Sequence, residues 1–228
     1  MNTEFDHQSV KLISHSKTSG GGGTPAFDMQ ELVAYTARVS NPSNQHNLDS
    51  SEKLVRYLVK HKHWSPLEMV SATVEVNTTR DIARQMLRHR SFAFQEFSQR
   101  YADPTQSLDF VTRDARLQDT KNRQNSVASN DEALEKWWKD EQSNLALQIK
   151  SIYRRAIELG IAKEQARAIL PEGCTMSRLY MAGTLRSFVH FIEVRSGNGT
   201  QLEHMDVARK VAAAIAPIFP MVSEFVSE

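Results

Sequence analysis

The chain has 228 residues, 40% hydrophobic and 24% charged, with 28 basic against 27 acidic side chains and a net charge of +1. These are ordinary globular proportions in a length that fits one domain, and the near-neutral balance argues against a dedicated nucleic-acid binder, which carries a basic excess. The single cysteine, Cys174, excludes an internal disulfide and a cysteine-rich metal site.

In chain order, Val10–Ile13 reads as a short first strand, and the glycine run at 20–23 as a surface turn. That run lacks both the Gly-Lys-Ser/Thr ending and the Gly-x-Gly-x-x-Gly pattern of a phosphate loop. Residues 28–39 carry Met29, Leu32 and Val33 at helical spacing, with Asp28 placed to cap the start. Residues 51–61 form a second amphipathic helix with Leu54, Val55, Leu58 and Val59 on one face. From Val70 to Asn77 the chain alternates strictly, which predicts a half-buried antiparallel strand. A helix follows from Thr79 or Asp81 through Leu87. Residues 102–130 are polar and read as a long loop, a lid or a subunit contact. Residues 131–159 predict a long helix stopped by Gly160. Adjacent Trp137 and Trp138 cannot both face one core. A short helix ends at Pro171, a strand is expected over 175–181, and helices over 185–194 and 201–216. Helices outnumber strands, so the fold class is α+β, a small antiparallel sheet flanked by helices in a single domain over 1–228. A polar acidic N-terminus and no membrane-length apolar run predict a soluble cytoplasmic protein. A lone cysteine suits a reducing compartment.

The most informative stretch runs from Arg88 to Arg100. Arg88, His89 and Arg90 stand together, seven residues later comes Ser98, and Arg100 follows after one more. Guanidinium groups are forks of donors matched to phosphate and carboxylate. Interleaved Phe92, Phe94, Phe97 and Tyr101 place the arginines beside a partly buried wall. This Arg-His-Arg-x7-Ser-x-Arg pattern resembles the signature of the flavin-dependent thymidylate synthases. His63, Ser65, Pro66 and Glu68 match that family's His-x-Ser/Thr-Pro-x-Glu segment, and Arg167 matches the arginine of its Ala-Arg-x-x-Leu-Pro segment.

The resemblance implies reductive methylation of dUMP to dTMP, with 5,10-methylenetetrahydrofolate as carbon donor and FAD, reduced by NADPH, as hydride carrier. It implies a homotetramer with sites built where subunits meet. The dUMP positions would be Gln85, Met86, Leu87, Arg88, Glu96, Phe97, Ser98, Gln99, Arg100, Arg167 and Arg195. Arg195 would also be catalytic: a fixed cation at the carbonyl edge of the pyrimidine stabilises negative charge there. The FAD positions would be Ser40, His63, Ser65, Glu68, Arg88, His89, Arg90, Glu96, Thr184, Arg186 and His190. Thr184 stands where the family commonly has Asn. A histidine common after Arg195 is missing, a place Asn198 or Gln201 could fill.

Competing readings are blander. The His61 and His63 pair has no third ligand nearby in sequence, so no metal is expected. Cys174 lacks a sequence-adjacent base, and Ser98 sits between Phe97 and Gln99, so neither reads as a nucleophile. A single-strand-binding surface built on Arg88, Arg90 and Arg100 with stacking aromatics is an alternative of a different class. A non-catalytic nucleotide sensor is another.

Overall fold

A computed structural model describes residues 5–19 and 27–227. The glycine-rich turn at 20–25 lies outside the described residues. The main sheet has four antiparallel strands in the order β1-β2-β6-β3: β1 (Ser9–His15), β2 (Ser71–Thr79), β3 (Ala93–Glu96) and β6 (Met176–Thr184). Strand β2 pairs with β6 along its whole length, from Ser71 opposite Thr184 to Thr79 opposite Met176. Its alternation does what the sequence predicts: Ala72, Val74 and Val76 are buried, while Thr73, Glu75 and Asn77 are not.

Helices cover the sheet's apolar face. Helix α1 (Met29–Ala37) begins with a capping box in which Asp28 accepts from the Glu31 amide and Glu31 accepts from the Asp28 amide, so two end donors of the helix are satisfied. It packs beside α2 (Ser51–Lys60). Helices α7 (Leu185–Arg195) and α8 (Leu202–Ile215) complete the layer. The core joins Val74, Val76, Leu179 and Met181 of the sheet to Phe188, Phe191, Val207 and Val211 of the helices. A short α3 (Arg80–Met86) follows β2 directly.

Two parts of the chain differ from the sequence reading. Strand β3 was not expected, although Phe92, Phe94 and Glu96 alternate with the exposed Ala93 and Gln95. It is a four-residue edge strand lying in a stretch crowded with motif residues. The polar loop over 102–130 is also more ordered than expected. It holds a turn of helix, α4 (Pro104–Ser107), and a hairpin of β4 (Arg116–Gln118) and β5 (Ser126–Ala128). Three-residue strands are too short to show a period of two. Their turn is held by side chains instead, with Asp119 accepting from the Lys121 and Asn122 amides at 2.8 and 3.1 Å.

Helix α5 (Glu132–Glu158) is capped by Asp131 and ends before Gly160, whose φ of 82° suits glycine. It buries Gln142, Ile149 and Tyr153 and leaves Trp137 and Trp138 both exposed. Helix α6 (Lys163–Ala166) follows. No helix among the described residues is long and apolar enough to cross a membrane.

Candidate active site

The signature segment lies along α7. Beyond α3, residues 88–91 run antiparallel to that helix. Arg195, at its C-terminal end, donates from Nε to His89 Nε2 at 2.8 Å. At its N-terminal end, Ser187 Oγ donates to the Ser91 carbonyl at 3.2 Å. Phe92 fixes the far side of this loop. Its ring is buried against Phe188 and Phe191 at centroid distances of 5.0 and 6.1 Å, and it fills the space over Gly183. A methyl group at Gly183 would stand 2.4 Å from that ring, so the glycine is required for close approach.

Around Arg195 the polar groups are tightly specified. Burial, with Arg195 and His190 nearby, lowers the His89 pKa to about 4. The ring is therefore neutral near pH 7, and its Nε2 lone pair accepts from Arg195. Burial and the charge of Arg88 lower the pKa of Arg195, although it stays charged. Gln85 donates from Nε2 to Gln201 Oε1 at 2.8 Å, and its Oε1 lies 3.2 Å from Nδ1 of the buried His204. Helix α3 ends at Met86, one residue short of the predicted Leu87; Gln85 turns to the protein and Arg88 is exposed. Met86 is core, and Leu87 is the C-cap.

A second cluster forms where β3 ends. Glu96 accepts from Ser177 Oγ at 2.9 Å and pairs with Arg80 and Arg84 at 3.4 and 3.3 Å. Arg167 lies close enough to Arg80 to depress its pKa, behind burial as the largest cause. The turn after β3 presents Ser98, whose Oγ accepts from the Arg100 amide at 3.4 Å. Arg100 reaches to 3.8 Å from Glu164, three residues before Arg167. Phe97 is half-buried, and Gln99 is buried with no partner for its Nε2 among the described residues. Arg80 and Arg84 thus gather around the carboxylates of Glu96 and Glu172, with Arg167 near Arg80, while Arg100 pairs with Glu164. The composition is that of an anion site with its counter-charges built in.

A third patch is a cleft of about 370 Å³ lined by Trp64, Glu68, Ser91, Arg186, Ser187 and His190. Arg186 pairs with Glu68 and stands over the Trp64 ring, 6.0 Å from its centroid. Thr184 caps α7 by accepting from the Ser187 amide at 3.4 Å. Ser65 opens the 3-10 turn that carries Glu68. His63 packs edge-on to Tyr57 at 6.0 Å, and Arg90 is exposed beside the loop. Ser40 lies apart from these residues, in a cleft of about 470 Å³ that α1 and α2 share with Arg38 and Tyr57. One copy of the chain therefore brings His89, Arg186, His190 and Arg195 along α7, and Glu96 to Arg100 with Arg167 at the end of β3. It does not bring Ser40 to either.

Sequence reasoning missed Arg80, Arg84 and Ser177 around Glu96, Trp64 under Arg186, and His204. One signal was available for His204: it falls on the same face of its helix as Val207, Ala208 and Val211, where a polar side chain needs a partner. Cys174 is half-buried with its thiol pKa raised, chiefly by burial, which disfavours thiolate chemistry.

These features define a mixed helix-and-sheet protein with an arginine-rich surface suited to phosphorylated ligands. The sequence profile of the family described as "Thymidylate synthase complementing protein" matches residues 25–221. A probable flavin-dependent thymidylate synthase of Paramecium bursaria Chlorella virus 1 is 47% identical over 95% of this chain and 97% of that protein. A flavin-dependent thymidylate synthase of Synechocystis sp. is 45% identical, covering 94% of this chain and 97% of its own. Among solved structures, the UMP/dUMP methylase PolB from Streptomyces cacaoi, bound with 5-Br dUMP, superposes with a TM-score of 0.79 at 26% identity. That match covers 96% of this chain and 93% of PolB. The chain belongs to the flavin-dependent thymidylate synthase family.

Proposed function

We propose that the protein converts dUMP to dTMP by reductive methylation, working as one domain over residues 1–228. The carbon comes from 5,10-methylenetetrahydrofolate and the reducing equivalents from NADPH. The observation that carries the residue roles is the Arg195–His89 bond. Its Nε is held by a neutral ring, so the outer Nη groups of Arg195 remain as a fixed cationic fork. Placed at the carbonyl edge of uracil, such a fork stabilises charge that develops as the ring is activated at C5. Ser98, Gln99 and Arg100, with Glu96, Phe97, Arg167, Gln85, Leu87 and Arg88, hold the nucleotide, and Met86 anchors the end of α3 in the core beneath them. Arg100 and Arg167 supply guanidinium forks of the kind that bind phosphate bidentately.

The donor set of the α7 cleft fits part of a flavin dinucleotide: the Arg186 guanidinium for a diphosphate, an indole face, and serine hydroxyls. We assign Ser65, Glu68, Arg88, His89, Arg90, Glu96, Thr184, Arg186 and His190 to FAD, with Ser40 and His63. When bound, FAD supplies the hydride-carrying chemistry; the chain supplies placement and charge. A cleft of about 370 Å³ is at the lower end for a drug-sized ligand, so it holds only part of a dinucleotide. The separate Ser40 cleft fits the same need if a second copy brings it to the first. This supports a homotetramer with shared sites, and the exposed Trp137 and Trp138 on α5 offer contact surface.

The test is direct. Purified protein supplied with FAD should carry flavin absorbance and form dTMP from dUMP, methylenetetrahydrofolate and NADPH. A protein that cannot retain flavin and makes no dTMP overturns the proposal.

A further inference from the structure

His204 is fully buried on α8, yet it has no place in the reaction as described. Its ring lies between Phe191, at 5.7 Å, and His89, at 6.3 Å and nearly perpendicular. Nδ1 faces Gln85 Oε1 at 3.2 Å, and Nε2 meets no hydrogen-bond partner among the described residues. Burial is the largest cause, ahead of Arg195 and His89, that lowers its pKa to about 3. It therefore carries one proton near neutral pH, on one of two nitrogens.

The unpaired nitrogen decides which. A buried N–H without an acceptor loses the full desolvation free energy of a donor and is rare. The proton accordingly sits on Nδ1, where Gln85 Oε1 accepts it, and Nε2 keeps only a lone pair. That choice orients the Gln85 carboxamide, whose two ends are otherwise interchangeable. Its oxygen is turned to His204, and one of its two N–H bonds is taken by Gln201 Oε1 at 2.8 Å. One N–H is left over.

We propose that His204 is a positioning residue for the nucleotide: it locks the Gln85 carboxamide so that Gln85 meets the substrate as a hydrogen-bond donor. The groups it would then favour are acceptors only, the phosphate oxygens and ring carbonyls of a uridine nucleotide. The proposal rests on the assignment of Gln85 as a nucleotide contact.

Calorimetric titration of the flavin-loaded protein with dUMP tests it. Gln85→Ala sets the size of the full effect. His204→Phe keeps a flat ring but has no donor, and it should weaken dUMP binding about 3- to 10-fold, the loss of one neutral hydrogen bond. His204→Asn places an amide N–H close to the former Nδ1 and should bind within about 3-fold of the parent. In turnover, His204→Phe should raise the KM for dUMP more than it lowers kcat. His204→Leu, which also has no donor at that place, answers the question if His204→Phe does not fold. Parent-like binding by His204→Phe, or by His204→Leu in its stead, with Gln85→Ala weakened, overturns the proposal alone. So does equal weakening in the Phe and Asn variants at unchanged thermal stability. Parent-like binding by Gln85→Ala overturns the Gln85 assignment and the proposal together.

Discussion

The two ends of α7 are built differently. At the C-terminal end, Arg195 is bonded to a neutral His89, and Gln85, Gln201 and His204 form a chain behind it. Nine residues back, about 14 Å along a helix, Arg186 and Glu68 are each close to half exposed beside an open cleft. The first end is specified within one copy of the chain and needs little reorganisation to act. The second offers charge and an aromatic face but little enclosure. The contrast separates a region whose polar contacts are already made within the chain from one that a single copy leaves open to solvent.

Substitutions at the two ends therefore differ in kind. The largest effect is expected at the preset end. Arg195→Ala should lower kcat about 100- to 1000-fold, as loss of one electrostatic donor does, with flavin absorbance retained; a loss below tenfold in steady-state turnover would break the comparison. Next comes the support of the loop. Gly183→Ala should push on the Phe92 ring and cost about 1–3 kcal/mol by overpacking, seen as a lowered midpoint in thermal unfolding. An unchanged midpoint would mean that the 88–91 loop is not held by Phe92. At the open end, Arg186→Ala should weaken flavin retention by about tenfold, one charge-assisted hydrogen bond, with near-normal kcat at saturating FAD. A kcat loss as large as that of Arg195→Ala would erase the distinction between the ends.

The two buried histidines also give a pH dependence of stability. His89 and His204 have pKa values near 4 and 3 in the folded protein, both chiefly through burial, against about 6.5 in an unfolded chain. Between those limits the unfolded state binds more protons, so stability falls as pH is lowered from about 6.5. Thermal midpoints from pH 7 to pH 5 should decline, and decline less in His204→Asn. A flat profile in the parent protein would show that the two rings are not held neutral.

The long elements were legible in the sequence because their periods are. The alternation of β2, the stripe of α7 and the Asp28 cap follow from side-chain spacing and local hydrogen bonding. Strand β3 and the hairpin β4-β5 were not legible. Each is only three or four residues long and owes its order to a partner: β6 across the sheet for β3, and for the hairpin its own turn and the ion pair of Arg116 with Glu203. The signature arginines were visible as residues with a common chemistry.

By itself the sequence determined which groups were available: guanidinium forks at Arg88, Arg90, Arg100, Arg167, Arg186 and Arg195, set among aromatic residues at a spacing that marks the family. Only the tertiary structure decided which of them meet. The packing of residues 88–91 against α7 gave Arg195 a neutral histidine and placed a buried one behind Gln85. Glu96 went to Arg80 and Arg84, which no spacing rule connects to it. Hydrogen-bond partners more than 100 residues apart depend on how helices and sheet pack together, and that packing is a property of the whole core.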